Sequence, residues 1–321
     1  MKQILVTGSD GWLGSRLMEI LARDWPGVPI RAFRGDLRNG NDCVEFCKGA
    51  KDAILFHAAG VIHPRRVREF YEVNVRGTEN LLDAAVGAGV RRMIVVSSNS
   101  PCGCNPHPDH LFDELSPYRP YMNYGYSKML MEQAVRERQQ RGDIETVIIR
   151  APWFYGPNQP ARQTLFFKMV RDGTVPIVGS GLNRRSMAYL DNLCQGLLLA
   201  ATAERANGQT YWIADERPYS MNEIVDTVER LLEEEFGVGC AHKRLRLPGF
   251  VSEIAWLADK TLQALGLYNQ KIHVLSEMNK TIACSVQKAV RELGYHPEIA
   301  LEEGMRRSLQ WCIEHGIDLR K

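Results

Sequence analysis

Short apolar runs alternate with helical patterns along the first half of the chain. The runs are rich in β-branched residues, as expected of buried strands. They cover residues 3–7, 30–33, 53–57, 92–97 and 145–150. Apolar residues recur at helical spacing over residues 12–24, 66–89 and 124–141. Strands joined by helices predict a parallel sheet with right-handed crossovers.

The second half is less regular. Loops rich in proline and glycine follow residue 150, and helical patterns return around residues 191–204, 220–236, 250–265 and 302–315. We therefore predict an α/β fold, a doubly wound parallel sheet with a smaller, mostly C-terminal lobe. The predicted units span residues 1–165 and 166–321, and they interleave in part.

Composition narrows the class of protein only slightly. The 321 residues carry a formal net charge of +2, and the basic residues are dispersed, so neither a nucleic-acid nor a membrane partner is expected. The chain begins with a strand pattern and has no run of about 20 apolar residues, which favours a cytoplasmic location. Its eight cysteines are scattered, and in a reducing compartment they are expected to be free thiols.

Three glycines, Gly8, Gly11 and Gly14, fall between the first strand and the first helix. In this context the spacing predicts a dinucleotide site, with a tight turn at the first glycine, close approach of the backbone to a pyrophosphate at the second and close helix packing at the third. The pyrophosphate would lie on the helix N-terminus, where free N–H groups favour an anion. A merely tight strand–helix turn is the alternative.

Tyr124 and Lys128 are four residues apart, so they share one face of a predicted helix. A lysine charge favours the phenolate and would lower a tyrosine pKa from its reference of about 10. The spacing alone arises often by chance. Here it follows the glycine turn and the serine pair Ser97 and Ser98, and that order predicts a proton-transfer centre.

These motifs together resemble the extended short-chain dehydrogenases/reductases, the superfamily that holds nucleotide-sugar epimerases, dehydratases and 3β-hydroxysteroid dehydrogenases. The resemblance covers the chain from end to end and implies a Rossmann-type fold. The matching segments are residues 7–14, 57–60, 73–82, 95–98, 124–128, 150–157, 189–192 and 288–297.

The resemblance implies a role for each catalytic candidate. Tyr124 would be the general acid/base, and Lys128 would lower its pKa and hold the nicotinamide ribose. Ser98, rather than Ser97, would hydrogen-bond the reacting oxygen. Asn74 would support the active-site helix, or it would be an ordinary surface amide.

The cofactor is expected to be NADP or NAD. An acidic residue at the end of the second strand usually binds the ribose of NAD, whereas arginine suits the 2′-phosphate of NADP. Arg34 occupies that place and favours NADP, with Arg31 and Arg38 as nearby alternatives. The predicted cofactor contacts are Gly8, Asp10, Gly11, Trp12, Leu13, Gly14, Arg34, Asp36, Leu37, Ala58, Ala59, Gly60, Tyr124, Lys128 and Pro152.

The substrate side is ambiguous. Arg185 stands where nucleotide-sugar enzymes of the superfamily place a phosphate-binding arginine, and it could be joined by Arg184 and Arg162, although a solvated loop is equally expected. Trp153 replaces an asparagine common in epimerases, and it is predicted, with Ser98 and Arg185, to contact substrate. Four further apolar residues are expected mostly in the core: Phe154, Phe166, Phe167 and Met187. The same is expected of an amphipathic stretch over residues 250–267.

Residues 102–110 hold two cysteines and two histidines, but their spacing is not that of a structural zinc site, so no metal is expected. The leading functional prediction is an NAD(P)-dependent keto-sugar reductase acting on a nucleotide sugar. The alternatives are an epimerase or dehydratase with tightly bound NAD, a dehydrogenase of a hydrophobic cyclic alcohol, and a dinucleotide-binding protein without activity. The resemblance also implies a homodimer formed by the helices near residues 72–86 and 125–141.

Overall fold

The fold is built on a six-stranded parallel sheet in a computed structural model that describes residues 2–320. Its strands are β1 (Ile4–Thr7), β2 (Ile30–Ala32), β3 (Ile54–His57), β4 (Arg92–Ser98), β5 (Glu145–Ala151) and, after four short strands of the other lobe, β10 (Thr210–Trp212). Their order across the sheet is β10-β5-β4-β3-β1-β2. The chain therefore builds outward in opposite directions from β1 and β3, and ligands bind at such a switch point, beyond the carboxyl ends of the strands.

Helices cover both faces of the sheet. One face packs on α1 (Trp12–Asp24), α6 (Leu190–Thr202) and α10 (Gln287–Leu293). The other packs on α2 (Gly40–Cys47), α3 (Gly77–Gly87) and α4 (Met122–Gln140), and a π-helical segment, Phe70–Arg76, leads into α3. A short 3₁₀ turn, Glu204–Ala206, precedes β10.

The second lobe combines three two-stranded sheets with helices. Its strands are β6 (Trp153–Tyr155), β7 (Pro176–Val178), β8 (Arg184–Arg185), β9 (Met187–Tyr189), β11 (Tyr219–Ser220) and β12 (Leu245–Leu247), paired as β6-β9, β7-β12 and β8-β11. Its helices are α5 (Ala161–Arg171), α7 (Met221–Glu234), α8 (Phe250–Ala264), α9 (Gln270–Glu277) and α11 (Leu301–Glu314). Helices α8 and α9 pack on each other as a hairpin.

The predicted fold class is confirmed, and helix α1 has the predicted bounds. The helical stretch predicted from residue 66 begins at Phe70. Strand β10 and helices α2, α5, α9 and α10 were not predicted, because their apolar runs are too short to show a period. The division at residue 165 stays a prediction. Within residues 2–320, no helix combines the length and apolar character that a membrane crossing needs.

Candidate functional site

The glycine turn closes on itself at the end of β1. The Gly11 amide donates to the Gly8 carbonyl at 2.9 Å, and α1 begins at the next residue. Gly8 has a φ of +73°, and a Cβ there would lie 2.7 Å from the Ala59 amide nitrogen. A Cβ at Gly14 would lie 1.9 Å from the Gly8 carbonyl oxygen. No larger residue fits at these two positions, so the backbone forms the cradle that a pyrophosphate requires.

A cavity of about 470 Å³ adjoins this turn. Six of the predicted cofactor contacts line it: Gly8, Asp10, Gly11, Asp36, Leu37 and Ala59. The sequence did not single out the other lining residues, Ser9, Phe33, Gly35 and Val73. The buried Ser9 hydroxyl has no hydrogen-bond partner among residues 2–320, so it remains available to an anion at the helix N-terminus. The residues present thus fit a dinucleotide.

The remaining predicted cofactor contacts lie around this cavity. Leu13 and Gly14 are buried on α1, and Trp12 donates from Nε1 to the Pro157 carbonyl at 2.7 Å. Pro152 is buried between β5 and β6. Ala58 and Gly60 belong to the loop after β3 that faces the glycine turn.

Arg34 lies just past β2, as predicted, but its guanidinium forms an ion pair with Asp10 of the glycine turn. The sequence did not indicate this contact, because the two residues are far apart in the chain. Arg38 is paired in the same way with the neighbouring Asp36 at 2.6 Å. Arg31 donates to the backbone carbonyls at the end of α2. Each of the three arginines at this edge is therefore already engaged.

Tyr124 lies on the first turn of α4, and its ring is 5.6 Å from that of Phe70. Burial raises the pKa of Tyr124 to about 12, while the nearby Ser98 hydroxyl opposes that rise and the charge of Glu277 adds to it. Ser98 ends β4, so the structure brings together the tyrosine and the serine that the sequence paired. The phenol is therefore held protonated, as a proton donor beside a hydroxyl.

Lys128 is buried one turn further along α4. Its Nζ donates to the Val96 carbonyl of β4 at 2.9 Å, and burial lowers its pKa to about 8. The expected lowering of the Tyr124 pKa is therefore wrong for the protein alone, because burial of the phenol raises that pKa above its ordinary value. The predicted binding of a ribose hydroxyl by Lys128 would therefore take place at this buried position.

The two serines at the end of β4 differ in their surroundings. Ser97 donates to Glu132 at 2.6 Å, and Glu132 also binds Arg150 at 2.8 Å in a fully buried ion pair. Ser98 instead lies 3.3 Å from the Ser100 hydroxyl and next to the Tyr124 phenol. Ser97 is thus part of the link between helix and sheet, and Ser98 is the serine free to meet a substrate oxygen.

Asn74 is buried in the π-helical segment and is not a surface amide. Its side chain accepts from the Val61 amide at 2.8 Å and donates to the Val61 carbonyl at 3.0 Å and to Ser127 at 3.2 Å. It thereby fastens the loop after β3 to α4. A Cβ at Gly60 would lie 3.3 Å from the Asn74 oxygen and 3.8 Å from the Lys128 nitrogen, so the asparagine shapes the wall beside the lysine.

Arg185 lies on β8 at the far side of the site. It donates to the backbone carbonyl of Glu277 at 2.6 Å, and its other N–H groups have no partner within the described part of the chain. The charge of Glu277 also acts on the Tyr124 phenol, so Arg185 and Tyr124 share Glu277 as a neighbour. Arg184 is turned away to the Pro108 carbonyl, and Arg162 is exposed.

The apolar candidates divide between cleft and core. Trp153 is half-buried, donates to Gln163 at 3.4 Å, and packs edge-on to Phe166 with ring centroids 5.8 Å apart. Phe167 and Met187 are in the core, as expected. Phe250, by contrast, is 62% exposed, so the apolar stretch at residues 250–267 is not core.

The sequence did not predict a buried polar network near Tyr124. His273 of α9 pairs with Asp259 of α8 at 2.7 Å, and both are buried. Burial alone would lower the pKa of His273, but the hydrogen bond with Asp259 and the charges of Glu277 and Asp259 together outweigh it, so the pKa is raised. Tyr268 packs between His273, at a tilt, and Phe70, edge-on, and Phe70 is the ring that meets Tyr124. Only the fold brings these residues together, and no local motif marks them.

Residues 102–110 lie in the loop between β4 and α4. Burial raises the pKa of Cys104 to about 12 and that of Cys102 to about 11, so both remain neutral thiols. His110 is hydrogen-bonded to Asn105. In the described part of the chain, no group of three or more His, Cys, Asp or Glu side chains is arranged to hold a metal.

Three relatives align over most of the chain. A Sinorhizobium fredii chain described as "uncharacterized protein y4nL" is 52% identical over 340 residues, which are 98% of this chain and 96% of that protein. Isoform 1 of the 3beta-hydroxysteroid-dehydrogenase/decarboxylase of Arabidopsis thaliana is 30% identical, covering 88% and 68%. The N-acetyl-alpha-D-glucosaminyl-diphospho-ditrans,octacis-undecaprenol 4-epimerase of Escherichia coli O157:H7 is 25% identical, covering 98% and 96%.

Solved structures share the same fold at low sequence identity. The UDP-glucose 4-epimerase of Thermotoga maritima with UDP-glucose is 19% identical, with a TM-score of 0.77 over 98% of this chain and 99% of that one. The UDP-glucuronic acid 4-epimerase of Bacillus cereus in complex with NAD is also 19% identical, with a TM-score of 0.75 over 98% and 100%. The model of the NAD-dependent epimerase/dehydratase family matches residues 4–214. The chain therefore belongs to the NAD-dependent epimerase/dehydratase family.

Proposed function

We propose that this protein inverts one ring carbon of a diphosphate-linked sugar by reversible oxidation, using NAD that stays bound throughout the cycle. The observation that carries the proposal is the meeting of Ser98 and Tyr124 at the carboxyl end of β4. Both are beside the edge of the sheet where the glycine turn forms its cradle. Bound NAD supplies a hydride acceptor and donor there.

The residues of the chain act on the proton and on the oxygen. Ser98 orients the reacting hydroxyl. Tyr124 must first release its own proton; as the phenolate it takes the hydroxyl proton as the carbonyl forms, and as the phenol it returns that proton when the alcohol is restored. A tyrosine that burial keeps protonated is suited to the returning step. Lys128 and the loop held by Asn74 fix the distance between this pair and the ribose side of the site.

The diphosphate is assigned to Arg185. Its guanidinium keeps N–H donors without a partner in the described part of the chain, and it contacts Glu277, whose charge acts on Tyr124. A planar guanidinium binds two phosphate oxygens at once, which a neutral substrate would not use. The Escherichia coli relative that matches almost all of this chain acts, by its name, on a diphosphate-linked sugar.

NAD is proposed over NADP because Asp10 already neutralises Arg34. A 2′-phosphate would have to displace that carboxylate. Replacing Asp10 by Asn frees Arg34, so we expect the ratio of NADP to NAD affinity to rise by about tenfold, as for one exposed charged contact. The control is Asp109→Asn, a fully exposed aspartate away from the turn. If the ratio of NADP to NAD affinity is the same in the unmodified protein and in both variants, Arg34 does not determine the choice of cofactor.

The proposal is tested by the fate of the cofactor. We expect the purified protein to carry bound NAD and to convert a UDP-linked hexose to its epimer without net consumption of added NADH or NADPH. Stoichiometric consumption with a reduced sugar as product would instead establish the keto-sugar reductase. A protein that neither retains NAD nor acts on any sugar diphosphate would contradict the proposal.

A second candidate is a dehydrogenase of a hydrophobic cyclic alcohol. It is favoured by the apolar wall that Trp153 and Phe166 present beside β6, and by the Arabidopsis thaliana relative. Arg185→Ala separates the two candidates. If the substrate carries a diphosphate, KM should rise at least tenfold while kcat changes little; for an uncharged alcohol, KM should not change.

A further inference from the structure

The polar face of helix α8 is buried, and its apolar face is exposed to solvent. Positions 252, 255, 259 and 263 lie on one face of a helix, and that face is buried although it carries Ser252, Asp259 and Gln263. Positions 250, 254, 257 and 265 lie on the opposite side and face solvent. They are Phe250, Ile254, Leu257 and, just past the helix end, Leu265, which are 60–72% exposed.

The buried polar face has its own partners. Ser252 donates to the Leu275 carbonyl at 2.8 Å, and Asp259 contacts both His273 and Gln263. These contacts fix the rotation of α8 against α9, so the apolar side cannot turn inward. Helix α7 of the same lobe shows the ordinary arrangement, with Ile224, Val228 and Leu231 fully buried. The contacts of the buried face therefore hold the apolar stripe of α8 at the surface.

Basic side chains surround this stripe. Lys260 lies on the flank of α8 with its ammonium 5.0 Å from the ring centre of Trp256. The backbone of Arg66 pairs with Leu267 and that of Arg65 accepts from the Tyr268 amide, just past the end of the stripe. No carboxylate within residues 2–320 pairs with any of these three side chains. The exposed acid of α8, Glu253, is neutralised by Lys280.

We propose that this face of α8, the docking face, seats the protein on an anionic lipid surface. An amphipathic helix with apolar residues outward and basic residues at its flanks inserts into the headgroup boundary, where lysine and tryptophan side chains are favoured. The basic flanks match anionic headgroups. A second copy of this chain would bring the same basic flanks, which offer those cations no acidic counterpart. The nearly balanced charge of the whole chain gives no sign of this local excess of basic residues.

Docking would bring the catalytic cleft to the membrane. The inner side of the hairpin carries Tyr268, whose ring is 5.3 Å from Phe70, and Phe70 in turn meets Tyr124. One hairpin thus presents its apolar side to lipid and its polar side to the active site. This inference is independent of the substrate proposed above, since it concerns a surface outside the cleft.

The test is sedimentation of the full chain with vesicles of phosphatidylcholine alone or mixed with phosphatidylglycerol. We expect binding to the mixed vesicles that weakens with salt and is much lower on phosphatidylcholine. The double variant Ile254→Gln, Leu257→Gln should lower the partition coefficient by about tenfold or more, because two buried apolar side chains are lost from the lipid. Arg66→Gln, which removes one positive charge, should lower it about fivefold.

The matched control is Val44→Gln on α2, where the valine is 60% exposed but lies away from the docking face. It should bind vesicles like the unmodified chain. The proposal is overturned if the unmodified chain does not sediment with anionic vesicles, or if the double variant binds as tightly. It is also overturned if sedimentation velocity shows a dimer that the double variant abolishes, since the face would then bind a second copy. A homodimer through α3 and α4, as the resemblance implies, would survive that variant.

Discussion

The catalytic edge of the sheet and the α8–α9 hairpin each contain a buried carboxylate paired with a base, but the two pairs differ in kind. Glu132 of α4 binds Arg150 of β5, and arginine keeps its charge at any ordinary pH. Asp259 of α8 binds His273 of α9, and histidine loses its charge near neutrality. The helix that carries Tyr124 is therefore fixed permanently to the sheet, whereas the hairpin is fastened by a pair that weakens as pH rises.

The largest effect should follow from breaking the pair at the catalytic edge. Glu132→Ala leaves the Arg150 charge buried, with no carboxylate to neutralise it, so we expect a loss of about 3–5 kcal/mol in the free energy of unfolding. The measurement is denaturant unfolding. The control is Glu137→Ala on the same helix, whose exposed pair with Arg141 should contribute less than about 1 kcal/mol. Similar losses in the two variants would contradict the assignment.

Lys128 is a second buried charge on α4, and unlike Arg150 it has no carboxylate partner at hydrogen-bond distance in the described residues. Its folded-state pKa is about 8, below its ordinary value of 10.5, so the unfolded chain binds more protons between these values and stability should rise with pH across that window. The rise should reach about 3 kcal/mol. It should be absent from Lys128→Met, which would be inactive yet more stable at pH 7. Parallel pH profiles for the two proteins would show that the lysine is not destabilising.

The smallest effect should come from the hairpin. The pKa of His273 is raised by Asp259, so the pair's contribution is fully present below the ordinary histidine value of 6.5 and is lost as pH rises through the higher folded-state pKa. Asp259→Asn should therefore cost about 1.5–3 kcal/mol at low pH and much less at high pH. Asp109→Asn, at a fully exposed site, serves as control. A cost that does not change with pH would mean that His273 stays neutral in the folded protein.

The two regions also differ in how far the sequence predicts them. The glycine turn, Ser98 and the pair Tyr124 and Lys128 are each local patterns, and a parallel sheet brings the ends of β1 and β4 to one edge whatever the rest of the chain does. Fold class and family could therefore be predicted from the sequence. The roles of these residues and the substrate stay predictions.

The hairpin could not be predicted in the same way. Its period indicated an amphipathic helix correctly, but periodicity cannot say which side faces inward, and the usual rule placed Phe250 in the core. Asp259 reverses that rule through His273, a partner on another helix. The ion pair of Asp10 with Arg34 escaped for the same reason, because it joins the glycine turn to the loop after β2. Contacts between distant segments, rather than propensities, decide these features.

The central claim is that Tyr124 transfers the proton that accompanies hydride transfer. The most direct measurement compares turnover of Tyr124→Phe with that of Tyr126→Phe, a tyrosine on the same helix whose side chain is 45% exposed. The account predicts that Tyr124→Phe retains bound NAD while its kcat falls by about 10²–10⁴-fold, and that Tyr126→Phe is unaffected. A kcat for Tyr124→Phe within a few-fold of the unmodified protein would contradict it.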